Sequence, residues 1–363
     1  MGGKELRVID TGVCEGRLNI AMGQALIEAR QSGALPDTLR FLRFPPTALI
    51  GRHQALHQEV NLEYCHENKI GVTRRITGGG AIFLDPGQLG WELVLDRKTL
   101  EIASLAELTR EICEAAAQGL SRLGIQASYR PRNDIEVDGR KISGTGGFLD
   151  GNTLFFQGTV LVDMDAEVMV AALRVPRAKL ARHDLDSATQ RVVTLKQLLG
   201  KAAPDLKLIK AALVAGFCER FDLQAKSAEL PAQILEQARA LYREEIGSEE
   251  FVSQIDEPAA ARGVLVGEQS SPGGTITAYI KLEGPAQNRV REVLFTGDFF
   301  VTPPRIIFDL EASLRGVYLT EISQAISRFF DAAQVDVLSV TAADFLAAVG
   351  HAIATVEASC EGL

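Results

Sequence analysis

Hydrophobic side chains recur along this chain with two spacings, and the spacing changes from one segment to the next. Residues 18–32 carry apolar side chains three and four positions apart, which predicts an amphipathic helix. Residues 5–10, with the sequence ELRVID, predict a short strand. The same criteria predict further strands at residues 38–44, 47–51, 71–76, 81–83, 89–95 and 153–162. They predict further helices at residues 62–68, 104–123, 206–221 and 232–244.

A second group of elements follows a polar stretch at residues 249–258. Three alternating segments, at residues 262–267, 274–282 and 289–296, predict strands separated by turns rich in Ser, Gly and Pro. Helical periodicity then predicts three helices, at residues 304–314, 320–330 and 342–355. We therefore expect two α+β domains, at residues 1–252 and 258–363.

A glycine triplet stands between two predicted strands, in the segment RRITGGGAIF at residues 74–83. Glycine allows a positive φ and a close approach of a ligand to the backbone. Free amide groups in such a loop form an anion-binding concavity, and the adjacent arginines suit carboxylate or phosphate. A hairpin turn with two solvated arginines is the alternative interpretation.

The second informative segment, at residues 129–144, contains Asp138-Gly139, a strong signal for a two-residue hairpin. The strand that leaves this turn carries Lys141, and a second glycine-rich segment follows it. Such a lysine can act as a point charge on a phosphate, although most lysines after a turn simply face solvent. Asn133 and Asp134 on the paired strand favour a functional site.

Composition narrows the classes of protein. The 363 residues are 46% hydrophobic and 23% charged, as in ordinary globular proteins, and the net charge of −9 disfavours nucleic acid as a partner. No apolar run approaches the roughly 20 residues of a membrane span, and the first residues lack a signal-peptide core, so we expect a cytoplasmic protein without a membrane partner. Five scattered cysteines without CxxC spacing argue against a disulfide framework or a zinc site, and we expect no bound metal of the protein's own.

Three ordered motifs carry a resemblance to a known family. RRITGGGAIFLD, NDIEVDGRKISGTGG and FFQGTVLVDMD are similar to the lipoate–protein ligase pattern RR-x-x-GGG-A-V-F-H-D, N-D-(I/L) with K-(I/L)-x-G, and H-G-(T/S). The resemblance covers residues 5–250, loosely including 176–195. TGDFF, at residues 296–300, resembles a strand end in the accessory domain of these ligases. The resemblance implies a large biotin/lipoyl-ligase-like catalytic domain, with mixed, mainly antiparallel sheets flanked by helices, plus a small α+β accessory domain.

The resemblance also implies a reaction. These ligases join lipoate to the α-phosphate of ATP, with Mg²⁺ expected, and then pass the lipoyl group to a lysine of an apo lipoyl domain or an H-protein-like acceptor. Lys141 would lie between the lipoate carbonyl and the α-phosphate. The resemblance assigns the remaining ATP and lipoyl-AMP contacts to Arg74, Arg75, Gly78, Gly79, Gly80, Ala81, Ile82, Phe83, Asn133 and Asp134. Arg75 would meet the phosphates, the backbone from Gly80 to Phe83 would hold the adenylate, and Asn133 and Asp134 would position the incoming lysine or magnesium.

Two positions depart from the family pattern. Leu84 and Gln157 stand where the family has histidines, which excludes an imidazole there and suggests a divergent subgroup. Two other functions stay open: an octanoyl or lipoyl transferase of the same fold that works without ATP, and a non-catalytic lipoate-binding relative. A transferase needs a nucleophile such as a cysteine thiolate, and none of the motifs contains a cysteine.

Two surfaces follow from these assignments. The apolar slot for the acyl chain should lie near Phe83, Leu84 and the strands around Trp91 and Phe155. A basic docking face for the acceptor should contain some of four arginines, namely Arg74, Arg130, Arg132 and Arg140.

Overall fold

The computed structural model describes residues 4–102, 104–174, 190–256, 258, 263–333, 336–337 and 339–360. Most of the segment 176–195 therefore lies outside the described residues. By its internal contacts the chain divides into two units. The first comprises Met1–Ile50, Glu59–Ile76 and Ala81–Val252, and the second comprises Gly51–Gln58, Thr77–Gly80 and Ser253–Leu363. The predicted boundary at residues 252–258 stays a prediction, and the contacts add two short early segments to the second unit.

An eight-stranded sheet forms the centre of the first unit. Its strands are β1 (Lys4–Val13), β2 (Thr38–Arg43), β6 (Gln88–Asp96), β7 (Ser128–Arg130), β8 (Asp134–Val137), β9 (Arg140–Asp150), β10 (Thr153–Leu161) and β11 (Leu223–Ser227). Their order is β11-β1-β2-β6-β10-β9-β8-β7. Strand β1 runs parallel to both of its neighbours, and the other pairs are antiparallel. The sheet is mixed and mainly antiparallel, as predicted.

A smaller sheet of three strands, in the order β4-β3-β5, completes the β-structure of the first unit. Its strands are β3 (Thr47–Ile50), β4 (Gly71–Arg74) and β5 (Ile82–Leu84). The helices of this unit are α1 (Gly16–Gln31), α2 (Leu56–Glu59, shared with the second unit), α3 (Leu62–Glu67), α4 (Arg97–Leu100), α5 (Leu105–Ser121), α6 (Ala166–Ala172), α7 (Leu195–Leu199), α8 (Leu206–Phe221), α9 (Ala232–Leu241) and α10 (Glu249–Ser253). A π-helical turn, Tyr242–Ile246, extends α9.

Helices cover both faces of the large sheet. Helix α1 packs on one face, where Met22 and Ala25 join Val94, Phe148 and Phe155 in one apolar cluster. The opposite face packs against α8, where the Trp91 ring lies 5.2 Å from that of Phe217. Alternation of side chains along each strand accounts for the two cores, because neighbouring residues point to opposite faces.

The second unit has its own core. Its strands are β12 (Val264–Ser271), β13 (Gly274–Glu283), β14 (Arg289–Gly297), β15 (Val301–Thr302) and β16 (Asp336–Val337), and its helices are α11 (Ile306–Ser313), α12 (Ile322–Ala332) and α13 (Ala342–Cys360). Strands β12, β13 and β14 form an antiparallel sheet, and β15 pairs with β16. The sheet and the helices enclose one apolar cluster that includes Phe295, Phe299 and Phe345.

Most predicted elements are confirmed, with ends that differ by a few residues. Helix α5 starts where it was predicted, because the Ser104 side chain accepts a hydrogen bond from Glu107 N at 3.1 Å. Strand β11 was not predicted, since its sequence LQAKS is mostly polar and lies at the sheet edge. Within the described residues, no helix is long and apolar enough to cross a membrane.

Candidate active site

The hairpin of β8 and β9 positions Lys141. Asp138 and Gly139 take φ values of +51° and +74°, as a two-residue hairpin turn with positive φ at both positions requires. At the edge of β9 away from β8, Lys141 N donates to Arg191 O at 2.8 Å and Lys141 O accepts from Val193 N at 2.9 Å. The backbone of Lys141 is therefore held from two directions.

The side chain of Lys141 is held as well. Its Nζ lies 2.7 Å from Asp134 Oδ1, and Asp134 also pairs with Arg130 at 2.6 Å. A Cβ at position 144 would stand 2.7 Å from both Cε and Nζ of Lys141, closer than real Cβ contacts come. Gly144 thus leaves the space through which the lysine passes, and about a third of that side chain stays exposed.

Asn133 supports the same two strands. Its side-chain amide donates to Thr145 O. Its backbone carbonyl accepts hydrogen bonds from Thr145 N at 2.9 Å and from Thr145 Oγ1 at 2.8 Å. Asn133 is thereby tied to the strand that carries Lys141, beside Asp134. The structure brings these three predicted residues together on one hairpin.

One face of the large sheet is partly exposed beside this hairpin. Strand β10 is flanked by β6 and β9, yet Gln157 and Thr159 are only half-buried, as is Gly144 on the neighbouring strand. The register pairs Gln157 with Gly146, and side chains two residues apart on a strand share a face. Gln157, Thr159 and Gly144 therefore lie on one face of the sheet, the face that α1 covers further along. Partial exposure at alternate positions of an interior strand means that the described residues do not fully cover this face there. We call this partly exposed strip, which extends from Lys141 past Gly144 and Thr159 to Gln157, the groove.

The two predicted arginines lie at the end of β4 in the smaller sheet. Arg75 is 4% exposed, and its Nη1 donates to Leu49 O at 3.2 Å. Burial lowers the pKa of the Arg75 guanidinium to about 10, although Glu59 opposes that shift. Arg75 therefore stays charged at neutral pH in a site of low dielectric.

Arg74 cannot be one of the arginines of the predicted docking face. This side chain is fully buried, and its Nε and Nη2 donate to Val252 O at 3.1 and 2.8 Å. A buried guanidinium committed to a backbone carbonyl cannot contact an acceptor surface. Of the other candidates, Arg130 and Arg132 are exposed and Arg140 is half-buried.

Strand β5 carries the next predicted residues. Ile82 and Phe83 pair with Leu49 and Ala48 of β3, and Phe83 is buried. Leu84, which replaces a family histidine, is 4% exposed in the apolar cluster around α1 and β3. Packing accounts for an apolar residue at that position.

The glycine triplet belongs to the second unit by its contacts. Gly79 N donates to Phe299 O at 3.0 Å, and a Cβ on Gly78 would stand 2.0 Å from the same carbonyl oxygen. Gly80 lies near Asp298, where a Cβ would be 3.7 Å from the Cβ of the aspartate. Gly78 and Gly79 thus allow the loop to approach the backbone around Phe299 closely. In this structure the Gly79 amide donates its hydrogen bond to a protein carbonyl.

His53 fills a packing position in the same unit. It is 1% exposed, and its ring stacks on Phe299 with centroids 5.0 Å apart at 12°. Its carbonyl accepts a hydrogen bond from Gly297 N at 3.0 Å. These contacts tie the loop after β3 to the TGDFF segment.

The predicted acyl slot needs one correction. Trp91 and Phe155 lie on opposite faces of the large sheet, since Trp91 packs on Phe217 of α8 whereas Phe155 packs against α1. They cannot line one slot. Only the Phe155 side shares the face of the groove.

Cysteine chemistry is disfavoured at this site. Cys113, whose Sγ lies 3.3 Å from Thr145 Oγ1 of β9, is fully buried, and burial raises the pKa of its thiol to about 12. Burial also raises the pKa of Cys65 to about 11 and raises those of Cys14 and Cys218. None of the four cysteines whose side chains the structure describes has the lowered pKa of a reactive thiolate.

Sequence reasoning missed a buried ion pair, Arg40 with Glu92, in the interior of the large sheet. Arg40 Nε lies 2.8 Å from Glu92 Oε2, and the two side chains are 0% and 4% exposed. The sequence signal for this ion pair was a charged residue within each of two otherwise largely apolar strands, Arg40 in β2 and Glu92 in β6. Among the described residues, no group of three His, Cys, Asp or Glu side chains could hold a metal ion.

Known proteins resemble this chain in sequence. The family described as lipoyl protein ligase A/B catalytic domain matches residues 15–218. Lipoate-protein ligase LplJ of Bacillus subtilis is 34% identical over 42% of this chain and 45% of its own length. Octanoyltransferase LipM of Kyrpidia tusciae is 27% identical over 67% of this chain and 97% of its own. The chain spans about half the length of the lipoate–protein ligases it matches first.

Two solved structures share the fold. A crystal structure of lipoate-protein ligase A bound with ATP aligns with a TM-score of 0.61 and 25% identity, over 70% of this chain and all of that one. LipL1 of P. falciparum in complex with lipoate aligns with a TM-score of 0.70 and 16% identity, over 92% of this chain and 96% of that one. The second likeness extends over nearly the whole chain and concerns the fold alone.

Proposed function

Because this chain belongs to the lipoyl protein ligase A/B catalytic domain family, we propose that it is an ATP-dependent lipoate–protein ligase. It activates lipoate to lipoyl-AMP with release of pyrophosphate. It then transfers the lipoyl group to a lysine of an apo lipoyl-domain or H-protein-like acceptor. The chain belongs to a family of enzymes that handle lipoyl and octanoyl groups, whichever of the two reactions it catalyses.

The observation that carries the proposal is the fixed position of Lys141 at the mouth of the groove. Its backbone is bonded on two sides, and its ammonium group is set by Asp134 and by the space above Gly144. Both half-reactions move negative charge through a small region beside the carbonyl of the acyl group. A positive charge that is already in place stabilises that charge without reorganisation. Lys141 need not exchange a proton to do this.

The nucleotide is the second part of the proposal. A relative of this fold binds ATP, and we assign Arg75 and the backbone of residues 80–83 to the phosphates and the adenylate. Asn133 and Asp134 would position the incoming lysine. Mg²⁺ usually binds through substrate phosphates and one or two carboxylates, so it would arrive with ATP, and Asp134, which here pairs with Lys141 and Arg130, is the carboxylate beside Lys141 that would hold it. The chemistry it would supply is neutralisation of phosphate charge.

Pyrophosphate release tests this proposal directly. Purified protein, ATP, Mg²⁺ and no acceptor are incubated with and without lipoate. A ligase releases pyrophosphate only when lipoate is present, and an added apo lipoyl domain then gains the mass of a lipoyl group. No release from folded protein, with or without acceptor, contradicts the proposal.

The second candidate is an octanoyl or lipoyl transferase that works without ATP. It is favoured by the likeness to octanoyltransferase LipM, which covers 97% of that protein. The raised pKa values of Cys14, Cys65, Cys113 and Cys218 count against it. Acyl transfer from an octanoyl-loaded carrier protein, measured without ATP, separates the two: transfer that a single Cys→Ser substitution removes would establish the transferase.

A further inference from the structure

Four charged side chains share one face of the neighbouring strands β7, β8 and β9. Arg130 of β7 pairs in register with Asp134 of β8, and Glu136 of β8 pairs in register with Lys141 of β9. Side chains that are directly opposed, or two residues apart on one strand, lie on the same face. Two cations and two carboxylates therefore stand side by side, and all four side chains keep some exposed surface.

The ammonium group of Lys141 does not pair with the carboxylate directly opposite it. Opposed Cβ atoms of an antiparallel pair are about 5 Å apart, so Glu136 is the nearer strand partner of Lys141. The structure instead places Lys141 Nζ 2.7 Å from Asp134 Oδ1. Among the described residues, no ion pair joins Lys141 to Glu136. Register alone therefore does not decide which carboxylate holds the lysine.

A β-bulge lets Lys141 leave its register partner. Between Ile135 and Glu136 strand β8 advances by one residue, whereas β9 advances by two, from Ser143 to Lys141. Ile142 is the extra residue. A bulge bends its strand and re-aims the side chains beside it, so the lysine can reach diagonally across the strand pair.

Arg130 engages the other oxygens of both carboxylates. Its Nη2 donates to Asp134 Oδ2 at 2.6 Å, and its Nη1 lies 3.5 Å from Glu136 Oε2. A guanidinium presents its donors in a rigid planar fork, so one arginine can hold two neighbouring carboxylates at once. Asp134 Oδ1 is thereby left to face Lys141, and the charge of Glu136 already has its own cation.

The contact between Lys141 and Asp134 depends on this arrangement. Asp134 Oδ1 is buried and accepts no directed hydrogen bond from the described residues, although the ammonium group lies 2.7 Å away. The lysine is therefore held by charge, and attraction between charges has little preference for direction. A second carboxylate on the same face, if it had no cation of its own, would compete for the ammonium group.

We propose that Arg130 is a positioning residue that assigns Lys141 to Asp134 by engaging Glu136. This inference rests on the proposed role of Lys141 in stabilising charge during activation. Without Arg130, the carboxylate of Glu136 attracts the ammonium group back to its register partner and away from the space above Gly144. The positive charge then no longer stands where negative charge develops in the reaction.

Arg130→Gln is the test variant, alone and combined with Glu136→Gln. The Arg130 side chain is 45% exposed, and ion pairs of such residues add little to stability, so the variant should fold. We expect lipoate-dependent pyrophosphate release to slow about tenfold in Arg130→Gln, because small displacements of a catalytic group are costly. Adding Glu136→Gln removes the competing charge and should restore most of the native rate. A merely structural role of Arg130 would not be restored in this way.

Arg130→Gln combined with Asp138→Asn is the matched control. Asp138 is exposed in the hairpin turn, and asparagine tolerates its φ of +51°. This combination restores the net charge of the hairpin but leaves Glu136 free to compete, so release should stay as slow as in Arg130→Gln alone. Native release by Arg130→Gln, or equal restoration by Asp138→Asn and Glu136→Gln, overturns the proposal.

Crystal structures of the native chain and Arg130→Gln separate this inference from the ligase proposal, because they need no activity. In the variant we expect Lys141 Nζ within about 4 Å of a Glu136 carboxylate oxygen. An ammonium group that stays on Asp134 overturns the positioning role. If the lysine moves as expected while the native protein releases no pyrophosphate, the ligase proposal fails and the positioning role stands.

Discussion

The ammonium group of Lys141 occupies the space that a side chain at position 144 would fill. Its Cε and Nζ both lie 2.7 Å from the position of a Cβ on Gly144, and Asp134 Oδ1 lies 2.7 Å from the same Nζ. The lysine that the sequence motif marks is therefore set by a residue three positions later. Its position is a property of the hairpin and not of the lysine alone.

Gly144→Ala should reduce adenylate formation without unfolding the protein. The new methyl group would displace the flexible end of Lys141 from Asp134, and a charge moved by about 1 Å from the reacting atoms can lose on the order of 100-fold in rate. Lipoate-dependent pyrophosphate release measures this loss. Gly71→Ala is the control, because a Cβ there meets only ordinary contacts at 3.5 Å or more. A Gly144→Ala protein with native kcat would show that the lysine position is unimportant.

Lys141→Met should slow activation severely while the melting temperature changes little. The methionine keeps most of the apolar length of the lysine, and the side chain is 34% exposed, so little packing is lost. Removing one preorganised electrostatic group typically costs about 100- to 1,000-fold in kcat. The measurement pairs single-turnover acyl-adenylate formation with calorimetric melting. Normal adenylate formation by the folded variant would refute the assignment of Lys141.

Charge reversal at Arg132 and Arg140 should weaken the acceptor step alone. Both lie on the hairpin that carries Lys141 and retain exposed surface, whereas Arg130 is tied to Asp134 and Glu136. Arg132→Glu with Arg140→Glu should raise KM for an acidic apo lipoyl domain, and the effect should shrink as salt screens the charges. Pyrophosphate release without acceptor is the internal control. An unchanged KM at low salt would exclude this docking face.

Local signals predicted most elements and the hairpin of Lys141, because periodicity, caps and Asp-Gly turns act over a few residues. They did not predict contacts that depend on the folded chain. Arg74 and Arg75 are adjacent in sequence, yet Arg74 is bonded to Val252 O, 178 residues away. Trp91 and Phe155 were assigned to one slot, although the pleat places them on opposite faces of the sheet. The partner of Gly79 is likewise a distant carbonyl, that of Phe299.

Glu311 should make the second unit less stable as pH rises towards neutrality. Burial raises the pKa of its carboxyl from the ordinary 4.5 to about 7, although the hydrogen bond from Phe295 N opposes that shift. The folded chain therefore holds a proton that the unfolded chain has released. The stabilisation is complete below about pH 4.5 and is lost as pH rises through 7, by about 3 kcal/mol in all.

Glu311→Gln should remove this dependence, because an amide oxygen still accepts from Phe295 N and carries no charge to bury. At pH 8 the variant should melt several degrees above the native protein, and at pH 4.5 the two should melt together. Glu321→Gln is the matched control, since Glu321 is exposed in the same unit. Calorimetric melting from pH 4.5 to 8 is the measurement, and parallel curves for the native and Glu311→Gln proteins would show that this carboxyl ionises in the folded state as freely as in the unfolded one.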